Sequence, residues 1–406
     1  MRREYDVGHL HLDPDFGLHH PCTYDIPITR ELKKGQIMPM KAAVVREHGT
    51  VKIEEVQIPE PGRGEVRVRM VATGLCQTDV MVCEGGFPAT LPVVLGHEGA
   101  GVVDSVGPGV TGLAIGDKVL MTIVMCCGYC FQCERGDGEL CETLAPMAMT
   151  SAMLDGTVRL HDSAGVELHH SFCQSSLAEF AVVPQEVVTK VRDDAPLDLL
   201  CVLACGATTG IGAVLRRAKI EAGAHVLVVG AGGVGLAAVA AARLAGASTI
   251  LVSDPEVHRR DVAINMGATH TIDPLENDLV AKAFELTGRG MDYAFDAAGA
   301  ASTFDQSLAA IRAGGEVVLL AIHALTDAVS VPVLAMLLQK RVTGSSQGSI
   351  KPHTDLPILV DLVMSGKLAL EPLIARRVGL DELPGAMSDM QKHPGRTVVV
   401  FPPADV

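Results

Sequence analysis

Apolar and polar positions alternate along this chain with two periods. From Lys41 to about Arg192 the pattern is short and strand-like, punctuated by Gly and Pro. The stretches Lys41–Val45, VRVRMVATG, GAGVVDSVG and GDKVLM read as strands joined by turns, hence a small β-rich domain. From about His225 the runs HVLVVG, TILVS, THTI, MDYAF, GEVVLLAI and RVTGS alternate with helical stretches such as LAAVAAARLAG and TFDQSLAAIRAGG. Six strands with five helical crossovers predict a doubly wound parallel sheet, so the chain is α/β with two domains. After about Gly348 the pattern predicts one more helix, a Pro-marked turn and the strand RTVVVF, which returns to complete the first domain. Residues 1–39 carry four His and little periodicity and read as an extension.

Composition narrows the function. The 406 residues carry a net charge of −15, so no general attraction draws the chain to phosphate backbones or anionic lipid. Nucleic acid and membrane are therefore poor partners, and with no Trp and few aromatics a base-stacking platform is unexpected. Arg2-Arg3 is followed by no apolar run of a secretory signal, so the cytoplasm is expected and thiols should be reduced. Val226–Ala242 is uncharged, but it is shorter than the ~20 residues a bilayer requires, and four Gly between 230 and 235 suit a tight turn.

Gly230-Ala-Gly232-Gly233-Val234-Gly235 fits G-x-G-x-x-G between a strand and a helix. In such a turn Gly230 permits the bend, Gly232 lets backbone approach a pyrophosphate, and Gly235 lets helix and strand pack closely. Asp254, at the end of the next strand, suits the ribose hydroxyls of NAD and opposes a 2′-phosphate, while Arg259 and Arg260 soften that preference. Eleven cysteines raise the question of disulfides or metal. Cys127-x-x-Cys130-x-x-Cys133-x7-Cys141 places four thiolates on short spacers, a closed tetrahedral set expected to hold a structural zinc. Cys126 blurs that register, but even spacing favours Cys127. Cys76, Thr78 and Asp79, then His97 and Glu98, then Cys201 and Cys205, are further candidates. Spacing alone leaves open whether any of them share a metal.

Cys76-Gln-Thr-Asp79, Gly96-His97-Glu98-Gly99-Ala-Gly101, the four-cysteine lobe, Cys205-Gly-Ala-Thr-Thr-Gly210 and Gly230–Gly235 follow the order seen in zinc-dependent medium-chain alcohol dehydrogenases. The chain resembles that family from about Lys41 to Phe401. The resemblance implies a GroES-like catalytic domain over 40–205 and 345–406, split by an NAD-binding Rossmann domain over 206–344. It implies a catalytic zinc on Cys76, His97 and Cys205, with Asp79 orienting His97 and Glu98 as an alternating ligand. Thr78 would take the alcohol proton. Thr209, Val234 and Ile322 would meet the nicotinamide, and Arg396 the pyrophosphate. Two zinc ions, NAD, a small alcohol or aldehyde, and a homodimer or homotetramer complete the expectation.

Two departures from the family bear on chemistry. Met81 stands where better-known relatives carry a proton-relay His, so Thr78 must pass its proton to the cofactor ribose or to water. Thr143, Leu144, Ala145 and Pro146 occupy the stretch where the glutathione-conjugate branch places an anion-binding Arg, which favours a plain alcohol over a formaldehyde–thiol adduct. Ile123, Leu320 and Ile322 would line an apolar pocket. A nicotinoprotein that holds NAD(H) permanently is the alternative cycle, an S-(hydroxymethyl)thiol (formaldehyde) dehydrogenase the alternative activity, and a non-catalytic zinc ribbon the alternative class.

Overall fold

A computed structural model describes residues 39–321, 327–393 and 395–402, so the extension before Pro39, with Cys22, and Ile322 lie outside the described residues. The first half is built from β1 (Pro39–Glu47), β2 (Thr50–Gln57), β3 (Glu65–Leu75), β4 (Val93–Val94), β5 (Gly99–Val106), β6 (Lys118–Met121), β7 (Leu160–His161), β8 (Glu167–His170), β9 (Phe180–Pro184) and β10 (Val188–Lys190). The second half carries β11 (His225–Val229), β12 (Thr249–Ser253), β13 (His270–Ile272), β14 (Met291–Asp296), β15 (Ile311–Leu319) and β16 (Arg341–Gly344). Two strands follow, β17 (Ile374–Gly379) and β18 (Arg396–Val400).

The second half forms one parallel sheet in the order β13-β12-β11-β14-β15-β16. That order reverses at β11, so the crevice at the carboxyl ends of β11 and β14 is where a dinucleotide fits. Val226, Leu227 and Val228 are fully buried, as strands covered by helices on both faces must be. The uncharged stretch 226–242 is thus a strand, a glycine turn and a helix (Gly233–Leu244). Among the described residues no single helix is long and apolar enough to cross a membrane.

In the first half, β2-β1-β4-β8-β7 make one sheet and β10-β6-β5-β3-β18-β17 another, with β9 also on β3. The C-terminal strand thus returns, β18 pairing antiparallel with β3 from Thr397↔Leu75 to Val400↔Ala72. Two boundaries differ from the sequence pattern. The stretch 303–315 is helical only to Ala310, because Ile311 is buried into β15 and Gly314 takes a φ of +72° that ends any helix. Beyond Gly348 the described residues form two α-helices, Pro352–Met364 and Leu383–Ser388, with β17 between them. Among the described residues the strand IARRVG pairs on one side only, with β18, and it carries two Arg, so its apolar pattern is faint.

Candidate active site

The residues before and after the helix Gln77–Glu84 converge through one carboxylate. Asp79 Oδ2 accepts the Cys76 backbone N–H at 3.0 Å, and Oδ1 accepts that of Gly96 at 3.1 Å. Oδ1 also lies 3.1 Å from His97 Nδ1. A proton on Nδ1 leaves Nε2 as the ligating atom, the usual arrangement behind a metal-bound imidazole. Asp79 is therefore a clasp that ties Cys76 and His97, 21 residues apart, to one point. Glu98 follows on β5's approach, in space that Gly74 leaves open; a Cβ at Gly74 would overlap Glu98 Oε2.

Ligand atoms of Cys76, His97, Glu98 and Cys205 lie within 4.8 Å of one another, all buried. Their neighbours shift each group from its ordinary range. A hydrogen bond from Cys205 holds the Cys76 thiol well below its usual range and, reciprocally, holds Cys205 well above it. Burial works against the His97 cation, but the charges of Asp79 and Cys76 outweigh it and raise the ring well above its ordinary value. Burial pushes Glu98 up to about 7, although Arg396 opposes it, and neither Glu98 oxygen has a well-aligned hydrogen bond. Two thiols with an imidazole on one buried point are a donor set that suits zinc.

The four-cysteine lobe is a second such set. Sulfurs of Cys127, Cys130, Cys133 and Cys141 lie within 4.8 Å of one another, with Cys127–Cys133 at 4.0 Å and Cys130–Cys141 at 3.9 Å. A tetrahedron of Zn–S bonds has edges of about 3.8 Å, so the cage already has the right size. Backbone N–H groups of Cys127 and Leu144 point at Cys141 Sγ at 3.4 and 3.3 Å, and that of Cys130 at Cys127 Sγ at 3.4 Å. These donors favour thiolates. Cys126 is outside the set and packs against Gly138.

The glycine turn behaves as its spacing predicts. Gly230 holds a φ of +90°, and a Cβ at Gly235 would overlap the Gly230 carbonyl. Nothing lies within 4 Å of where a Gly232 Cβ would be, so the backbone there is open to a ligand. Arg396 is 8% exposed and bridges the two halves of the site. Its Nη2 pairs with Glu98 Oε1 at 3.1 Å, it lies over Gly206, and its buried Nε, which has no hydrogen-bond partner among the described residues, faces Gly233. A solvated surface charge is excluded. Asp254 is buried, Oδ2 accepting the Ala231 N–H at 2.8 Å and Oδ1 the Glu256 N–H at 2.9 Å. Arg259 approaches it to 3.9 Å, while Arg260 is spent on the Asp254 and Pro255 carbonyls and on Asp273. Thr209 donates to the Cys205 carbonyl at 2.9 Å, and its helix crosses Val234 where Gly210 has no side chain to obstruct it.

Residues 62–193 match the alcohol dehydrogenase GroES-like domain, and residues 233–365 match the zinc-binding dehydrogenase family. The S-(hydroxymethyl)glutathione dehydrogenase of Paracoccus denitrificans is 35% identical over 378 residues, covering 90% of this chain and all of that one. The chain belongs to the zinc-dependent medium-chain alcohol dehydrogenases. Within that family it is similar to a solved alcohol dehydrogenase zinc-binding domain protein from Burkholderia ambifaria, at 37% identity and a TM-score of 0.87 over 90% of this chain and all of that one. It is also similar to the benzyl alcohol dehydrogenase of Acinetobacter calcoaceticus, at 32% and 0.84 with the same coverage.

In this dehydrogenase Thr78 Oγ1 lies 3.7 Å from Cys76 Sγ, at the edge of the ligand cluster. Met81 is half-buried on the same helix, and His48 packs its ring against Gly85. Ile123 packs against the core of the first domain, whereas Leu320 packs against the core shared with the parallel sheet. Sequence reasoning passed over Phe87 and Phe172. Phe172 packs at a tilt against the His97 ring, centroids 4.9 Å apart, and against Phe87 at 5.6 Å, giving the cluster an aromatic wall. The only trace in the sequence is that Phe172 follows closely on the pair His169-His170.

Proposed function

We propose that this dehydrogenase interconverts small apolar primary alcohols and their aldehydes, with NAD as hydride carrier and a zinc held by Cys76, His97 and Cys205. The single observation that carries the reading is the convergence of two thiols, an imidazole and Glu98 on one buried point beside the glycine turn. Zinc there supplies a Lewis acid for the alcohol oxygen, and the dinucleotide supplies the hydride acceptor. The protein's own residues do the rest. Thr78 takes the hydroxyl proton, and with Met81 unable to relay it, the proton leaves through water or the ribose. Asp79 holds His97 in its ligating tautomer, and Glu98 stands by as an exchanging ligand, its charge balanced by Arg396. Arg396 also turns a buried N–H toward the pyrophosphate, Asp254 receives the ribose, Arg259 lies beside it, and Val234 and Thr209 back the nicotinamide.

Several finer assignments belong to the same proposal. Cys127, Cys130, Cys133 and Cys141 hold a second, structural zinc. The catalytic domain is 40–205 with 345–406 and the cofactor domain 206–344, supported by which strands share a sheet. The enzyme is cytoplasmic, where its described thiols stay reduced. It is a homodimer: β16 leaves a free sheet edge, and beside it Val333 and Leu337 are 75% and 74% exposed. An alcohol and aldehyde panel read by NADH absorbance, with Cys205→Ala as control, tests the reading; turnover that survives the substitution would refute it.

A further inference from the structure

His170 ends β8, two residues before Phe172, and takes no part in the reaction described above. Its ring is 1% exposed, yet both nitrogens are engaged. The Arg159 backbone N–H donates to Nε2 at 3.0 Å, and Nδ1 lies 3.4 Å from Ser175 Oγ. Because Nε2 accepts, the proton of the neutral ring sits on Nδ1 and points at Ser175. Burial and the Arg159 guanidinium push the ring down to about 3, which keeps it neutral. Ser175 passes the bond on, donating to the Val94 carbonyl at 3.0 Å and accepting the Ser171 N–H at 3.2 Å. Val94 pairs in register with His170 and stands three residues before His97.

Between His170 and Ser175 the chain makes an unusual turn. Phe172, Cys173 and Ser175 hold φ of +52°, +57° and +57°, and none of them is glycine. Such a conformation persists only where the surroundings impose it. The turn delivers the Phe172 ring onto His97.

We propose that His170 is a positioning residue: through Ser175 it locks the strap Ser171–Ser175 in its left-handed form and so holds Phe172 on the His97 ring. The strap then sets both the seating of that ligand and the aromatic wall of the substrate site. The substrate arm of this proposal rests on the alcohol dehydrogenase reading; the metal arm does not.

Three variants separate the two bonds of the ring. Asn carries its amide where Nδ1 lies, and Gln carries its own where Nε2 lies, so His170→Asn keeps the link to Ser175 and His170→Gln breaks it. Ser175→Ala breaks it from the other side. In His170→Gln and Ser175→Ala, kcat/KM for benzyl alcohol relative to ethanol should fall about tenfold, through KM. His170→Asn should retain the ratio. With cobalt placed at the Cys76–His97–Cys205 site, its visible bands should shift in the same two variants and stay put in His170→Asn. If all three merely lower the melting temperature while the ratio and the cobalt bands stay unmoved, the proposal is overturned. Should any of them fail to fold, Phe172→Leu is read the same way, and a ratio and spectrum equal to wild type would overturn it. If wild-type protein oxidises no alcohol, the cobalt bands still decide the strap, so the two failures are distinguishable.

Discussion

Asp254→Asn separates the clasp that this carboxylate makes from the ribose contact proposed for it. In the folded protein Asp254 clasps the glycine turn through the Ala231 N–H at 2.8 Å and the Glu256 N–H at 2.9 Å. Asn preserves the shape, but its amide nitrogen must face one of those donors. One charge-assisted hydrogen bond is lost, worth about 1.5–3 kcal/mol, and the melting temperature should fall accordingly. The coenzyme effect is separate. Loss of the carboxylate weakens ribose binding by a similar amount, which lowers kcat/KM for NAD by roughly 10- to 100-fold. For NADP the sign reverses, because the 2′-phosphate no longer meets a buried negative charge. At an effective dielectric of about 20 and a separation of about 4 Å, each unit of repulsion removed is worth up to about 4 kcal/mol, an upper bound that solvent reduces. The NAD to NADP ratio of kcat/KM should therefore fall at least about tenfold. Steady-state kinetics with both coenzymes and one alcohol, beside a thermal melt, give both readouts. A lower melting temperature with an unchanged coenzyme ratio would show that Asp254 only clasps the turn, and the ribose assignment would fail.

Other predictions follow from the same geometry. Cys133→Ser should reduce zinc from two ions per chain to one by metal analysis and lower the melting temperature, since one corner of the second cage is gone. Arg396→Gln leaves Glu98 buried without its counter-charge, so stability should fall by about 3–5 kcal/mol in a denaturant titration. KM for NAD should rise with it. His170 titrates near 6.5 when unfolded and at about 3 when folded, so the unfolded chain binds the extra proton between those values. Its stability is complete above pH 6.5 and is lost as pH falls toward 3, by roughly 5 kcal/mol in all. His170→Asn should flatten that acid limb in urea melts at stepped pH, and an unchanged slope would contradict the neutral buried ring. Leu337→Asp should convert a dimer to a monomer in sedimentation, and an unaltered mass would remove the proposed interface. A rate profile whose titration vanishes when His48 is replaced would show that a histidine relays the proton after all.

What could be read from the sequence was whatever has a short period or a local spacing. The six parallel strands, the glycine turn and the four-cysteine lobe each lie within one stretch of chain, where alternation and spacing report geometry directly. The catalytic cluster is different in kind. Cys76, His97 and Cys205 are brought together by Asp79's clasp and by β3, β5 and β18 sharing a sheet. No spacing rule contains those contacts, and only the resemblance to a family joined them. The Glu98–Arg396 pair spans almost 300 residues and was divided between two expected roles, ligand and pyrophosphate contact, with no sign that they meet. The strap 171–175 was invisible because left-handed residues are ordinarily announced by Gly or Asn, and here Phe, Cys and Ser are forced into that region by a buried histidine.

The reading proposed for this chain is hydride transfer between an alcohol and NAD at a zinc held by Cys76, His97 and Cys205. The most direct test is NADH formation from benzyl alcohol and NAD by purified protein, measured as isolated, after zinc is stripped by a chelator, and after zinc is returned. NADH formation should stop when the metal is removed and resume when it is restored. Undiminished NADH formation by zinc-free protein, or none from the zinc-loaded protein with any alcohol, would contradict it.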